Sequence, residues 1–184
     1  MGEFLGSNKS HKIFTPNPEM LVDAQKDEEF KKILNSGDLN ICDGFGLSLV
    51  SGAKKIAGVD FMLDICKLAE EQRKSVYFLG SGSDEVVNKT AEEVKKRFPG
   101  LKIVGADKGP KIQNTHNKIQ TNDENVLHKI IMAAPDILFV AFGHSKQEKW
   151  IDKNLKDLPS VKIAMGVGGS FDYISGSVKR APKF

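Results

Sequence analysis

The sequence predicts an α/β fold, a mainly parallel sheet with helices on both faces. Short apolar runs alternate with segments of helical spacing from residue 18 to residue 165. Each of the clearest apolar runs ends in Gly or Asp, as at Asp43, Gly80, Asp107, Gly143 and Gly166. The 184 residues, 40% hydrophobic and 28% charged, hold apolar material for one sizeable core. Parallel strands need crossover connections, and the alternation supplies a helix for each of them.

Taken in order, Asn17-Pro18-Glu19 pairs a capping residue with a first-turn Pro and an acid at the positive end of the dipole, predicting a helix over 18–34. Leu39 to Cys42 reads as a strand closed by Asp43-Gly44. Residues 59–73 place Met62, Ile65, Cys66 and Ala69 at helical spacing. Val76 to Leu79 is a buried strand, Gly80-Ser81-Gly82-Ser83 a tight loop, and 84–98 a helix with Val87, Thr90, Ala91, Val94 and Phe98 inward. A strand at 101–105 and a polar loop over 106–120 follow, then a helix opened by a Thr121/Glu124 capping box. A strand at 136–142, a helix at 146–154 and a strand at 161–165 complete the series, which reads as Rossmann-like. Residues 1–12, rich in Gly, Ser, Asn and Lys, are expected to be a flexible tail, and 13–184 one domain.

Composition excludes several functions. Lys and Arg number 27 against 24 acids, and a charge of +3 is too weak for a nucleic-acid stripe. The longest apolar runs fall short of the ~20 residues of a membrane span. Cys42 and Cys66 sit in apolar segments and read as reduced core residues of a cytosolic protein; no signal peptide precedes them. The sequence has no Asp-x-Asp triplet, metal-ligand spacing, Gly-x-Ser-x-Gly elbow or Walker loop.

Ligands of open α/β sheets bind beyond the carboxyl ends of the strands, so the loops there are the candidates. Gly80-Ser81-Gly82 begins like a dinucleotide fingerprint, but Glu85 stands where the third glycine belongs; Asp107 is placed for a ribose hydroxyl. A nicotinamide-dependent oxidoreductase is therefore one reading. Gly166, Gly168 and Gly169 crowd one strand end, which close approach of a ligand explains and a plain turn explains less well. Asp43 is suited to act as a general base or to cap the next helix. His144 reads as a surface or capping residue, and Lys146, Gln147 and Glu148 as a solvated helix start.

Seven blocks run through the chain: Thr15 to Leu21, Asp43 to Gly46, Ala57 to Asp60, Phe78 to Gly80, Gln147 to Trp150, Gly166 to Asp172, and Arg180 to Pro182. Jointly they resemble the WecG/TagA/CpsF family of glycosyltransferases. The resemblance implies an inverting, metal-independent transfer with no cofactor. It moves N-acetylmannosamine from its UDP donor to undecaprenyl-diphosphate-linked N-acetylglucosamine, as in wall teichoic acid linkage units. It implies that Asp43 is the catalytic base and that Thr15, Asn17, Lys55, Gln147 and Glu148 bind substrate. Gly80, Ser81, Gly143, Gly166, Gly168, Gly169 and Asp172 would hold the nucleotide diphosphate. The implied place is the cytoplasmic face of the bacterial membrane, reached through a basic carboxyl-terminal appendage. This chain stops at Phe184, so low activity and self-association through the surface left uncovered are expected. Lys55 stands where the family has Arg, Ser145 where it has Pro, and the loop 48–55 is short. A non-catalytic nucleotide-sugar-binding domain is the remaining alternative.

Overall fold

The computed structural model describes residues 1–42, 56–110, 113–115, 118–120 and 124–179, the segments 113–115 and 118–120 by backbone alone. The elements in chain order are α1 (Gly2–Gly6), β1 (His11–Phe14), α2 (Pro18–Ala24), α3 (Glu28–Asn35), β2 (Leu39–Asn40), α4 (Gly58–Glu71), β3 (Ser75–Gly80) and α5 (Asp84–Arg97). They continue with β4 (Lys102–Asp107), β5 (Gln113–Thr115), β6 (Lys118–Gln120), α6 (Glu124–Ala133), β7 (Ile137–Ala141), α7 (Lys146–Asn154), β8 (Ile163–Gly166) and α8 (Ser170–Ser175). Six strands form one parallel sheet in the order β2-β1-β8-β7-β3-β4, and β5 and β6 pair as a separate antiparallel hairpin inside the expected polar loop. The α/β, Rossmann-like expectation is what the chain adopts.

The period-two alternation of the strands divides the core into two layers. Val76 and Phe78 of β3 join Leu5, Met62, Val87 and Phe171, so α1, α4, α5 and α8 cover one face. Tyr77 and Leu79 join Met20, Phe30, Ile130 and Trp150, so α2, α3, α6 and α7 cover the other. Every residue of β7 is buried, which accounts for its unbroken apolar run. Phe78 stacks on Phe139 and meets Phe171 edge-on, each with centroids 5.7 Å apart, tying β3, β7 and α8 together.

Three expectations are corrected. The helix predicted over 18–34 is two helices, because Asp27 accepts from the Phe30 amide at 2.9 Å and caps a new helix there. The strand predicted over 39–42 covers only Leu39 and Asn40. Residues 1–12, expected as a tail, enter the fold. Leu5 is buried, Phe4 stacks on His11 at 4.1 Å, and His11 and Lys12 pair with Ile163 and Ala164. Four residues are too few to show a strand period, but neighbours on both sides satisfy the backbone of β1. Thr121 of the predicted capping box lies outside the described residues.

Both cysteines are buried. Burial pushes the Cys66 thiol up to about 12, and the thiolate is the reactive form. Cys66 should therefore resist an aromatic disulfide reagent at pH 8 in the folded protein and react once denaturant is added; immediate labelling of both thiols would contradict this packing.

Candidate active site

Adjacent strands send their chains to opposite faces at one edge. After β1 and β7 the chain turns to α2 and α7 in one layer; after β8 and β3 it turns to α8 and α5 in the other. A crevice between such diverging connections is where α/β sheets bind ligands. The register aligns its rim: Ile13 and Phe139 both lie opposite Met165, Val140 opposite Gly166, and Gly80 opposite Ala141.

Thr15, Gly166, Gln147, Glu148 and Gly168 form one connected group here. Thr15 follows β1, is 8% exposed, and donates from Oγ1 to the Gly166 carbonyl at 3.3 Å. Gln147 and Glu148 open α7, yet they are 2% and 0% exposed. That overturns the expectation of a solvated helix start. The buried face of α7 is Gln147, Glu148, Trp150, Ile151 and Asn154, the i, i+3, i+4, i+7 stripe of a packed helix. Reading the stripe outward from Trp150 and Ile151 would have placed Gln147 inside.

Within the group the polar contacts run in sequence. The Gly168 amide donates to Gln147 Oε1 at 2.9 Å, and Gln147 Nε2 donates to Glu148 Oε1 at 2.8 Å. Among the described residues, Glu148 Oε2 is buried without a hydrogen-bond partner. Burial pushes the Glu148 carboxyl above its ordinary value, against the opposing effect of the Gln147 amide. Gly166 makes room for this: a Cβ there would lie 2.8 Å from Gln147 Nε2 and 3.1 Å from Glu148 Oε1.

The residues expected to hold nucleotide are distributed along the same rim. Gly80 ends β3, two strands from Gly166, a separation of roughly 10 Å at ordinary strand spacing. The Ser81 amide donates to the Ala141 carbonyl at 2.8 Å, and the Gly168 amide is held by Gln147. Those two N–H groups are occupied, so Ser81 and Gly168 shape the rim and do not offer amide donors to a phosphate. At Gly82, Gly143 and Gly168 an added Cβ would meet nothing within 4 Å among the described residues, which leave the rim open there. Gly169 precedes α8, and half-buried Asp172 lies in its first turn. Asn17 spends its side-chain oxygen on the Met20 amide at 2.9 Å, as a helix cap. His144, read as a surface residue, is exposed and meets Asp23 of α2 at 2.9 Å, linking the β7 loop to the neighbouring helix of the same layer.

Asp43 and Lys55 lie outside the described residues, as do Arg180, Ala181 and Pro182. Cys42 and Ile56, on either side of the first two, are hydrogen-bonded through backbone at 3.2 Å, so these two residues lie side by side beyond β2. Asp107, the ribose candidate, is bonded to Lys129 at 2.6 Å and to the Gly109 amide at 2.8 Å. Burial opposes its charge, but these two donors outweigh it and hold Asp107 below the usual carboxylate range. Its ion pair leaves the nicotinamide reading without its acidic anchor.

A parallel sheet whose carboxyl rim gathers buried polar side chains and glycine turns is the arrangement in which α/β enzymes commonly place a ligand site. The chain belongs to the Glycosyl transferase WecG/TagA/CpsF family, which it matches over residues 1–184. It is 35% identical, over 98% of its own length and 68% of the relative's, to an N-acetylglucosaminyldiphosphoundecaprenol N-acetyl-beta-D-mannosaminyltransferase of Bacillus spizizenii. Proteins of the same name from Bacillus subtilis and Staphylococcus aureus are 32% and 29% identical, over 94% and 97% of the chain and 65% and 69% of the relatives. The chain spans about two thirds of the length of these relatives. It is thus a member of a glycosyltransferase family, and the oxidoreductase alternative is set aside.

Proposed function

We propose that the protein transfers N-acetylmannosamine from UDP-N-acetylmannosamine to undecaprenyl-diphosphate-linked N-acetylglucosamine, in a single inverting displacement that needs no metal ion. Family membership over residues 1–184 carries this reading, together with relatives whose names state that activity. In the reaction the acceptor hydroxyl oxygen bonds to the anomeric carbon as the bond from that carbon to the UDP oxygen breaks. Asp43 takes the hydroxyl proton and UDP leaves as the anion.

The described residues are suited to the binding side of this chemistry. The open glycine turns at Gly82, Gly143 and Gly168 let a diphosphate approach the backbone closely. The amino end of α7 faces the same rim, and pre-placed dipoles stabilise charge on a departing phosphate without reorganising. Thr15 and Gln147 fix the walls between which the sugar would lie. No helix among the described residues is long and apolar enough to cross a membrane. We place the protein peripherally at the cytoplasmic membrane surface, where a polyprenyl acceptor presents its sugar.

The decisive experiment supplies UDP-N-acetylmannosamine and a short-chain polyprenyl-diphosphate N-acetylglucosamine and follows the disaccharide product with and without EDTA. Product formation unaffected by EDTA, with inverted anomeric configuration by NMR, is the expected result. UDP binding with neither transfer nor donor hydrolysis would favour the non-catalytic alternative.

A further inference from the structure

We infer that Glu148 is a positioning residue that acts as a neutral carboxylic acid, through Gln147, on the Gly168 turn. The chain of polar contacts has one consistent direction. Gly168 N–H is only a donor, so the Gln147 atom beside it is the amide oxygen. The other end of that amide is then NH2, which requires an acceptor, and Glu148 Oε1 supplies it at 2.8 Å. A proton on Oε1 would oppose the NH2 group, so the proton sits on Oε2.

Magnitudes decide the protonation state. An ionised carboxylate in a fully buried position with one oxygen unpartnered costs far more than the ~1–3 kcal/mol of an unpartnered neutral donor. The Gln147 amide, the backbone N–H groups of Ser145 and Glu148, and His144 favour the charge, but burial outweighs them together. His144, on the loop before α7, is already turned to Asp23 of α2. Lys149 of the same helix is paired with Asp27 and faces Glu29, both from the α3 side. From β8 the neighbour is Gly166, and from the loop after β1 Thr15 bonded to that glycine; neither titrates.

What the relay holds is the backbone of Gly168, at φ +51° between β8 and α8. Val167 and Ser170 on either side are fixed by backbone bonds to Val140 and Val167, and Ser170 Oγ also donates to the Val167 carbonyl at 2.6 Å, whereas the Gln147 amide is the side-chain bond to Gly168 itself. Glu148 would therefore set donor affinity without touching the donor, a consequence that rests on the function proposed above. The tether itself does not depend on that reading.

The test compares Glu148→Gln and Glu148→Leu in the full chain. Gln keeps an oxygen that accepts from Gln147, whereas Leu has about the same volume and no acceptor. Amide hydrogen exchange at Gly168 should stay slow in the Gln variant and quicken at least tenfold in the Leu variant. The KM for UDP-N-acetylmannosamine should rise about tenfold in the Leu variant and much less in the Gln variant, with kcat the less affected constant. Melting supplies a readout independent of activity. The folded state holds the Glu148 proton more tightly than the unfolded chain, so the stability tied to that proton is complete below the ordinary value near 4.5 and is lost as pH rises through the folded value. The Gln variant has no proton to lose, so its Tm relative to the parent should climb from pH 5 to pH 8. Equal Gly168 exchange in both variants, or a Tm difference that falls with pH, overturns the relay. A protein that transfers no sugar yet shows both the exchange and melting patterns retains the relay and loses only the proposed function.

Discussion

Asp43→Asn should lower kcat for sugar transfer by ~10²–10⁴-fold while leaving UDP affinity within about threefold, because a general base contributes to the chemical step and not to ground-state binding. Asn has the shape and hydrogen-bonding reach of Asp but takes no proton at neutral pH. The acceptor hydroxyl must then attack before its proton has anywhere to go. The described fold places the residue before it: Cys42 is buried just past β2, whose last residue Asn40 lies opposite Phe14, next to Thr15. Asp43 thus follows the strand beside the one that delivers Thr15 to the rim. The measurement is steady-state transfer beside UDP titration and a melting curve. A variant that melts like the parent, binds UDP and turns over at the parent rate removes Asp43 from the mechanism and requires another base.

The binding arm of this prediction separates the two roles the site must play. If the loss appears in UDP affinity and not in kcat, Asp43 acts on the nucleotide side and the inverting displacement loses its proton acceptor. A like charge beside the diphosphate would disfavour the ionised carboxylate, so the parent should show an acid limb in its kcat against pH that the Asn variant lacks.

The strand–helix alternation was legible because each signal is local. β3, β7, α5 and α7 have periods that lie within their own residues, and α7 begins and ends at Lys146 and Asn154 as the spacing predicts. β1 was not legible, since His11–Phe14 is stabilised by partners about 25 and 150 residues away in sequence. The break between α2 and α3 was readable in principle, because Asp27 followed by Glu28 and Glu29 is a second amino-terminal signature inside an otherwise periodic stretch. The site was legible as a set of loops but not as a hydrogen-bonded group. Nothing local says that Gln147 reaches back to Gly168, or that Glu148 is fully buried against β8. Two polar residues beside Lys146 and Lys149 look solvated until tertiary packing turns the helix. The same limit explains Ser81 and Gly168, whose amides seemed open to phosphate and prove to be bonded within the protein.

Gly80→Ala should be the most destabilising of the glycine substitutions on the rim, lowering the Tm by on the order of 10 °C. Two costs combine. The φ of +126° lies far from the left-handed well that other residues tolerate, a strain of ~1–3 kcal/mol. The added Cβ would also stand 2.5 Å from the Ala141 carbonyl oxygen and 2.8 Å from its nitrogen, and backbone in the neighbouring strand of a packed sheet yields only at a further ~1–3 kcal/mol. At ~2–4 °C per kcal/mol for a chain of this size the sum reaches the stated drop. Gly168→Ala is the control. It has φ +51°, inside the left-handed well, and nothing within 4 Å of the new methyl, so only a strain of ~1–2 kcal/mol applies. The contrast assigns the two glycines different work: Gly80 is required by the backbone of β7, whereas Gly168 is required by the turn that the Gln147 amide holds. Displacing Ala141 would shift the start of the Gly143 to Ser145 loop, so Gly80→Ala should weaken UDP binding as well, through the protein's own strand and without loss of any direct contact from position 80. If Gly80→Ala melts no lower than Gly168→Ala, the close approach of β3 to β7 is not what demands glycine there, and direct contact with nucleotide becomes the better account of Gly80.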